Sequence, residues 1–190
     1  MIERLEIMPI KKLLYRFGLT FLTFLVLCME AYPLSLQQTA GNSYDFWEGS
    51  DMPINYMINT GTIPAGLDTA AVVNAIQQAF QAWQTASGGT VSFVYDGTTD
   101  ITAADPLDGK IVYWINSSWP LSSSRMANTV THAGPNGKLV EADVQFNGQH
   151  FSWSASAVGE SGKKDVQNVA THEVGHFIGI DHSDDSDATM

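Results

Sequence analysis

Alternation of apolar and polar residues predicts several β-strands in this chain. Ile54, Tyr56 and Ile58 are apolar and alternate with polar or flexible neighbours, which is the period of a strand with one buried face. A continuous apolar run at Ile111–Ile115 indicates a strand that is buried on both faces. Strands with the alternating pattern are predicted at residues 53–60, 91–95, 126–133 and 140–146.

A first helix is predicted at residues 67–86, where apolar side chains recur at intervals of three or four. The repeat is formed by Val72, Ile76, Phe80 and Trp83. Asp68 precedes the repeat and is placed to cap the first turn with its carboxylate. Gly88 and Gly89 follow the repeat, and glycine commonly ends a helix.

A second helix is predicted at residues 164–178, and its two faces differ in chemistry. At about 100° per residue, one face collects Val166, Ala170, Val174, Phe177 and Ile178. His172 and His176 fall on the opposite side, so we expect these imidazoles to face a cleft. The element order is strand, helix, several strands, helix. It predicts an α+β domain, with two helices packed on one mixed, twisted sheet.

Length and charge limit the classes of function. The chain has 190 residues, which suits one domain with a core large enough to fold alone. Its formal net charge is −11, and only five of its nine Lys and Arg residues lie beyond residue 40. Because a nucleic-acid-binding surface is normally basic, we expect no nucleic-acid partner.

Residues 1–40 are predicted to be an export leader that precedes a domain at 41–190. Basic residues come before an apolar run at 17–28, which is shorter than the roughly 20 residues that span a bilayer. Cleavage after Ala31 or Ala40 would release a secreted domain with no stable membrane partner. Retention of the leader as a membrane anchor is the alternative. The only cysteine lies in the leader, so no disulfide is expected in the mature domain.

The strongest chemical signal is a histidine motif on the second predicted helix. His172 and His176 are one helical turn apart and can bind one metal ion, and Glu173 lies beside them as a candidate base. Gly179 allows the chain to leave the helix, and His182 then supplies a third imidazole. Three protein ligands leave one tetrahedral position for water, which is typical of catalytic zinc.

These residues resemble the zinc motif of the metzincin clan and, within it, the matrixin family. The segment 172–183 has the extended zinc motif followed directly by Ser183. Met190 follows eight residues after the third histidine, where matrixins place the methionine of the Met-turn. Residues 80–95 resemble the matrixin helix that leads into the second strand, and residues 130–147 resemble a later pair of strands. The resemblance covers most of residues 44–190.

The resemblance implies a secreted, monomeric zinc endopeptidase that acts on extended protein or peptide substrates. It implies one catalytic Zn²⁺ on the three histidines and Glu173 as the general base. Met190 is implied as an apolar floor beneath the metal and not as a ligand. The strand at 126–133 is implied as the edge that pairs with the substrate backbone.

Departures from the family pattern bear on the other metals and on the type of matrixin. Animal matrixins hold a structural zinc, but here only His132 occupies one of its positions and Gln145 replaces another. We therefore expect no second zinc. Asp143 matches a calcium ligand of the family, so Ca²⁺ is a candidate ion. His150 matches no family role and is expected at the surface.

No cysteine-bearing propeptide is recognised, which favours a compact, bacterial-type member. The pattern stops inside the Met-turn at Met190, so we expect the domain to be incomplete at its C-terminus.

Three alternatives stay open at this point. The chain could be a metzincin of another family, or one that cleaves a single dedicated partner. It could be an inactive binding or adhesion module that keeps the metal, although a binding site needs no base beside the metal. It could also be a truncated remnant that does not fold.

Overall fold

The computed structural model describes residues 35–38, 43–102, 109–183 and 189–190. The apolar run of the predicted leader lies outside these residues. The described part contains nine strands and two α-helices. In chain order they are β1 (Ser35–Leu36), β2 (Ile54–Ile58), α1 (Thr69–Ala86), β3 (Phe93–Thr98), β4 (Ile111–Ile115), β5 (Ala127–Ala133), β6 (Leu139–Asn147), β7 (Trp153–Ser154), β8 (Lys164–Asp165), α2 (Val166–Phe177) and β9 (Ile180–Asp181).

The predicted α+β class is confirmed, because a five-stranded mixed sheet packs against both helices. The strand order is β3-β2-β4-β6-β5. The first four strands are parallel, and β5 pairs antiparallel with β6 at the edge of the sheet. The crossover from β2 to its parallel neighbour β3 contains α1. Two short pairs, β1 with β9 and β7 with β8, lie outside the main sheet.

One hydrophobic core joins the sheet to the two helices. Tyr56 of β2 stacks on Phe80 of α1, with ring centroids 3.8 Å apart. Phe177 at the end of α2 meets Phe80 edge to face at 5.3 Å. All three side chains are at most 3% exposed, so the rings fix the two helices against each other and against the sheet. Among the described residues, no helix combines the length and apolar character needed to cross a bilayer.

Two tryptophan side chains hold α2 in place by hydrogen bonds to its backbone carbonyls. Trp83 Nε1 donates to the Thr171 carbonyl at 2.7 Å. Trp47 Nε1 donates to the Phe177 carbonyl at 2.8 Å, one of the carbonyls that a helix end leaves without an intrahelical partner. The helix begins two residues later than predicted, because Asp165 caps it by accepting from the Asn168 amide at 2.7 Å. The face that carries the histidines is therefore held in a fixed orientation.

Gly179 ends α2 in a backbone conformation that other residues adopt only with strain. Its φ is +90°, and a Cβ built at this position would lie 2.4 Å from the backbone oxygen of Asp45. The turn therefore needs glycine for two independent reasons, the sign of φ and the close approach of another segment.

We expect Gly179→Ala to lower the free energy of unfolding by about 2–4 kcal/mol, as strain and overpacking add. Gly159→Ala is the matched control, because Gly159 has φ +68° but nothing within 4 Å of its Cβ. Urea denaturation of both variants checks this. Equal decreases in the free energy of unfolding would show that the close approach of Asp45 adds nothing to the cost of Gly179→Ala.

Candidate metal centre

Three imidazoles converge where α2 ends and the chain turns back. His172 and His176 lie one turn apart on the exposed side of α2, and His182 follows β9. The His182 Nε2 atom lies 3.1 Å from His172 Nε2 and 3.2 Å from His176 Nε2. Within the described ranges, these three histidines are the only group of three or more side chains arranged to share a metal ion.

Backbone carbonyls fix the orientation of two of the rings. His172 Nδ1 lies 2.6 Å from the Thr189 carbonyl oxygen, and His176 Nδ1 lies 2.9 Å from the Ile180 carbonyl oxygen. A carbonyl only accepts, so we assign the proton of each ring to Nδ1. Each Nε2 then presents a lone pair toward His182. Histidines that bind metals are usually oriented in this way by a partner on the other ring nitrogen.

The three Nε2 atoms have too few protons to form hydrogen bonds with one another, so a bound cation explains their arrangement better. His182 Nε2 contacts two lone pairs but can carry only one proton, so one contact would stay repulsive. A cation among the three nitrogens satisfies all of them. Two ligands about 2.05 Å from a tetrahedral zinc lie about 3.3 Å apart, which is close to the observed spacings. Burial lowers the pKa of His176, which favours the neutral imidazole that binds metals. The residues present therefore fit Zn²⁺.

Glu173 lies between the histidines in sequence and is only 5% exposed. Burial raises the pKa of Glu173, while the hydrogen bond from the Thr129 hydroxyl and the charge of Arg125 act in the opposite direction. Thr129 Oγ1 is 2.6 Å from Glu173 Oε2, and since a carboxylate accepts, the hydroxyl donates. A pKa above its ordinary value makes this carboxylate a stronger base, and the charge-assisted hydrogen bond holds it in place, so Glu173 is suited to accept a proton from water.

For the zinc endopeptidase that the sequence resemblance implies, we expect Thr129→Val to reduce the rate of hydrolysis by on the order of tenfold while the zinc content is unchanged. Valine keeps the shape of threonine but removes the donor, so the pKa of Glu173 rises further and the acidic limb of the pH–rate profile moves to higher pH. Thr129→Ser is the matched variant and should restore most of the rate. A valine variant with an unaltered pH profile would contradict a role in positioning Glu173.

Met190 packs beneath the turn of α2 that carries His172 and His176. It is 7% exposed, and a Cβ added to Gly175 would lie 2.2 Å from its sulfur atom. Gly175 lies between the two helical histidines, so the thioether rests on the helix backbone under the site. The geometry suits an apolar floor, and the carbonyl of the preceding Thr189 contacts His172.

A segment inside the predicted leader also contacts the site. β1 pairs with β9, and the backbone N–H of Gln37 donates to the Gly179 carbonyl at 2.9 Å. The Gln37 side-chain nitrogen Nε2 lies 3.1 Å from His176 Nδ1; because both atoms then carry protons, this is a close contact and not a hydrogen bond. Of the two predicted cleavage positions, only the one after Ala31 keeps this segment in the mature chain.

The remaining candidate residues lie outside the three-histidine group. Asp143 is fully buried in β6, where its Oδ1 accepts from the Ile111 amide at 2.9 Å, so it links two strands; its calcium role stays a prediction. His132 lies in β5 opposite Glu141, and its Nε2 is buried without a hydrogen-bond partner among the described residues. His150 Nδ1 is 3.2 Å from Asn147 Oδ1.

A cleft of about 770 Å³ connects the histidines to the edge strand β5. Its lining includes Glu173 and residues 124–129, which comprise the start of β5 and the turn before it. Sequence reasoning did not single out Gln37 or Arg125 among the lining residues, and it placed Thr129 only within the predicted edge strand at 126–133, without a role of its own. Each lies far along the chain from the histidines, and no local pattern marks them.

Comparison with known proteins agrees with this geometry. The family model for matrixin, peptidase M10, matches residues 46–190. Matrix metalloproteinase-18 of Xenopus laevis is 28% identical over 151 residues, covering 76% of this chain and 27% of that protein. Matrix metalloproteinase-27 of Tupaia belangeri is 28% identical over 121 residues, covering 64% of this chain and 22% of that protein. The chain thus spans about a quarter of the length of these curated relatives. Because the family model covers most of the chain, this protein belongs to the matrixin family.

Proposed function

We propose that this protein is a secreted zinc endopeptidase that hydrolyses peptide bonds in extended segments of proteins. The observation that carries the proposal is the convergence of three Nε2 atoms whose lone pairs need a cation, beside a buried carboxylate. Membership of the matrixin family supports the same reaction class. A site that only bound a partner would have no need for a buried base next to the metal.

In the proposed mechanism, His172, His176 and His182 hold Zn²⁺, which supplies Lewis acidity for hydrolysis when bound. Glu173 takes a proton from the attacking water and returns it to the leaving amine. Thr129 holds the carboxylate in place by its hydroxyl, so Glu173 needs no reorientation before it accepts the proton.

The substrate is proposed to bind along β5, which is the edge of the sheet and borders the cleft. An edge strand offers backbone donors and acceptors that can pair with an added strand. This mode requires an extended peptide, so flexible or unfolded segments should be cleaved in preference to folded ones.

A direct test is to purify the full chain after export, measure zinc per chain, and follow the degradation of unfolded casein. We expect one zinc per chain, cleavage that stops with a chelator, and recovery when zinc is restored. Zinc-replete, folded protein that cleaves neither casein nor a mixed peptide library would overturn the proposal and favour a binding module.

A further inference from the structure

The positive charges of the domain differ in what they contact. Beyond residue 40 the chain has four lysines and one arginine. Each lysine contacts an acidic or aromatic group: Lys110 over Trp47, Lys138 with Glu48, Lys163 with Glu160, and Lys164 over Phe151. Arg125 is different, because within the described ranges it contacts neither a carboxylate nor an aromatic ring.

Arg125 is also the only Lys or Arg among the described residues that line the cleft. It lies just before β5 and is exposed. The Arg125 carbonyl accepts from Asn147 Nδ2 at 2.9 Å, and Asn147 is fully buried, so the backbone is anchored. The guanidinium donates to Asn128 Oδ1 at 2.8 Å, which uses one of its five N–H groups. The structure therefore holds a cation in the cleft and leaves donors for a ligand.

We infer that Arg125 forms a carboxylate-binding subsite, which selects substrates with an acidic residue a few positions from the scissile bond. This inference rests on the proposed endopeptidase function and names the substrate class for that site. A guanidinium binds a carboxylate through two parallel hydrogen bonds, which adds geometric selectivity to attraction. The chain as a whole has a net charge of −11 and repels acidic peptides. The subsite should therefore favour one well-placed carboxylate and not a uniformly acidic segment.

The test uses amidated fluorogenic peptides in which one Gln at a time is replaced by Glu on either side of the scissile bond. Gln and Glu have the same shape, so the ratio of their kcat/KM values reports charge recognition alone. We expect one position at which the Glu peptide is cleaved roughly fivefold better than the Gln peptide. Peptides with a free C-terminus form a second arm, because a terminal carboxylate offers the same chemistry. A preference confined to that arm would overturn recognition of an acidic side chain.

Arg125→Gln should reduce the Glu-to-Gln ratio to about one, and Arg125→Glu should invert it. The ratio cancels any effect of Arg125 on Glu173, because both peptides meet the same enzyme. Lys164→Gln is the matched control: it changes the net charge equally but does not line the cleft, so the ratio should stay at its original value.

Binding to the Glu173→Gln variant gives a second readout that does not need turnover. Fluorescence anisotropy should show the same Glu preference, and its loss when Arg125→Gln is added. Cleavage or binding with no charge preference would overturn the inference while the endopeptidase proposal stands. If no peptide were cleaved or bound, both the Arg125 inference and the endopeptidase proposal would be overturned.

Discussion

Glu173→Gln is expected to bind zinc as the original protein does but to hydrolyse peptides about 10²–10⁴ times more slowly. The amide has nearly the same shape as the carboxylate and can still accept a hydrogen bond from Thr129. The amide cannot take a proton from water, so the substitution should lower kcat and leave KM nearly unchanged. Zinc analysis and steady-state kinetics on one preparation check both parts of this expectation.

The matched control for this change is Glu160→Gln. Glu160 carries the same carboxylate but lies outside the cleft, where it pairs with Lys163 at 2.6 Å. Its substitution should leave the rate within about twofold of the original. Full activity in a zinc-loaded Glu173→Gln protein would remove this residue from the mechanism. A loss of zinc together with activity would instead indicate that the carboxylate supports the structure of the metal site.

The sequence predicted the fold class because each element has a strong period of its own. The alternation of Ile54, Tyr56 and Ile58 reappears as the buried face of β2, and the helical repeat at 67–86 reappears as α1. The ends of elements were less well predicted, because local bonds decide them. The start of α2 depends on a side-chain cap by Asp165, which hydrophobic periodicity does not encode.

The residues of the site also differ in how well the sequence alone could predict them. His172 and His182 are ten residues apart in the chain, and the structure brings their rings into contact. This contact is predictable, because it depends only on helix geometry and on one glycine turn. Thr129 and Glu173 are 44 residues apart, and Gln37 and His176 are 139 apart. Such contacts depend on how β5 and β1 are placed by the whole fold. No spacing rule within one element could have identified them.

His176→Ala is expected to abolish stoichiometric zinc binding, and hydrolysis with it. His176 is held at both ring nitrogens, because its Nδ1 contacts the Ile180 carbonyl while its Nε2 faces His182. Loss of even an outer partner typically weakens metal binding 10- to 100-fold, so loss of a ligand should weaken it by more than about 100-fold. Competition titration with a fluorescent zinc chelator measures this affinity directly, without any assay of activity.

Thermal unfolding gives an independent measure of the same change. At a free zinc concentration about 1,000 times its Kd, binding to the folded state alone stabilises the original protein by about 4 kcal/mol. That gain should vanish in His176→Ala and persist in the control His150→Ala, whose histidine lies outside the three-histidine group. If His176→Ala kept both tight zinc binding and the thermal shift, the metal would have to bind elsewhere. The convergence of the three imidazoles would then carry no function.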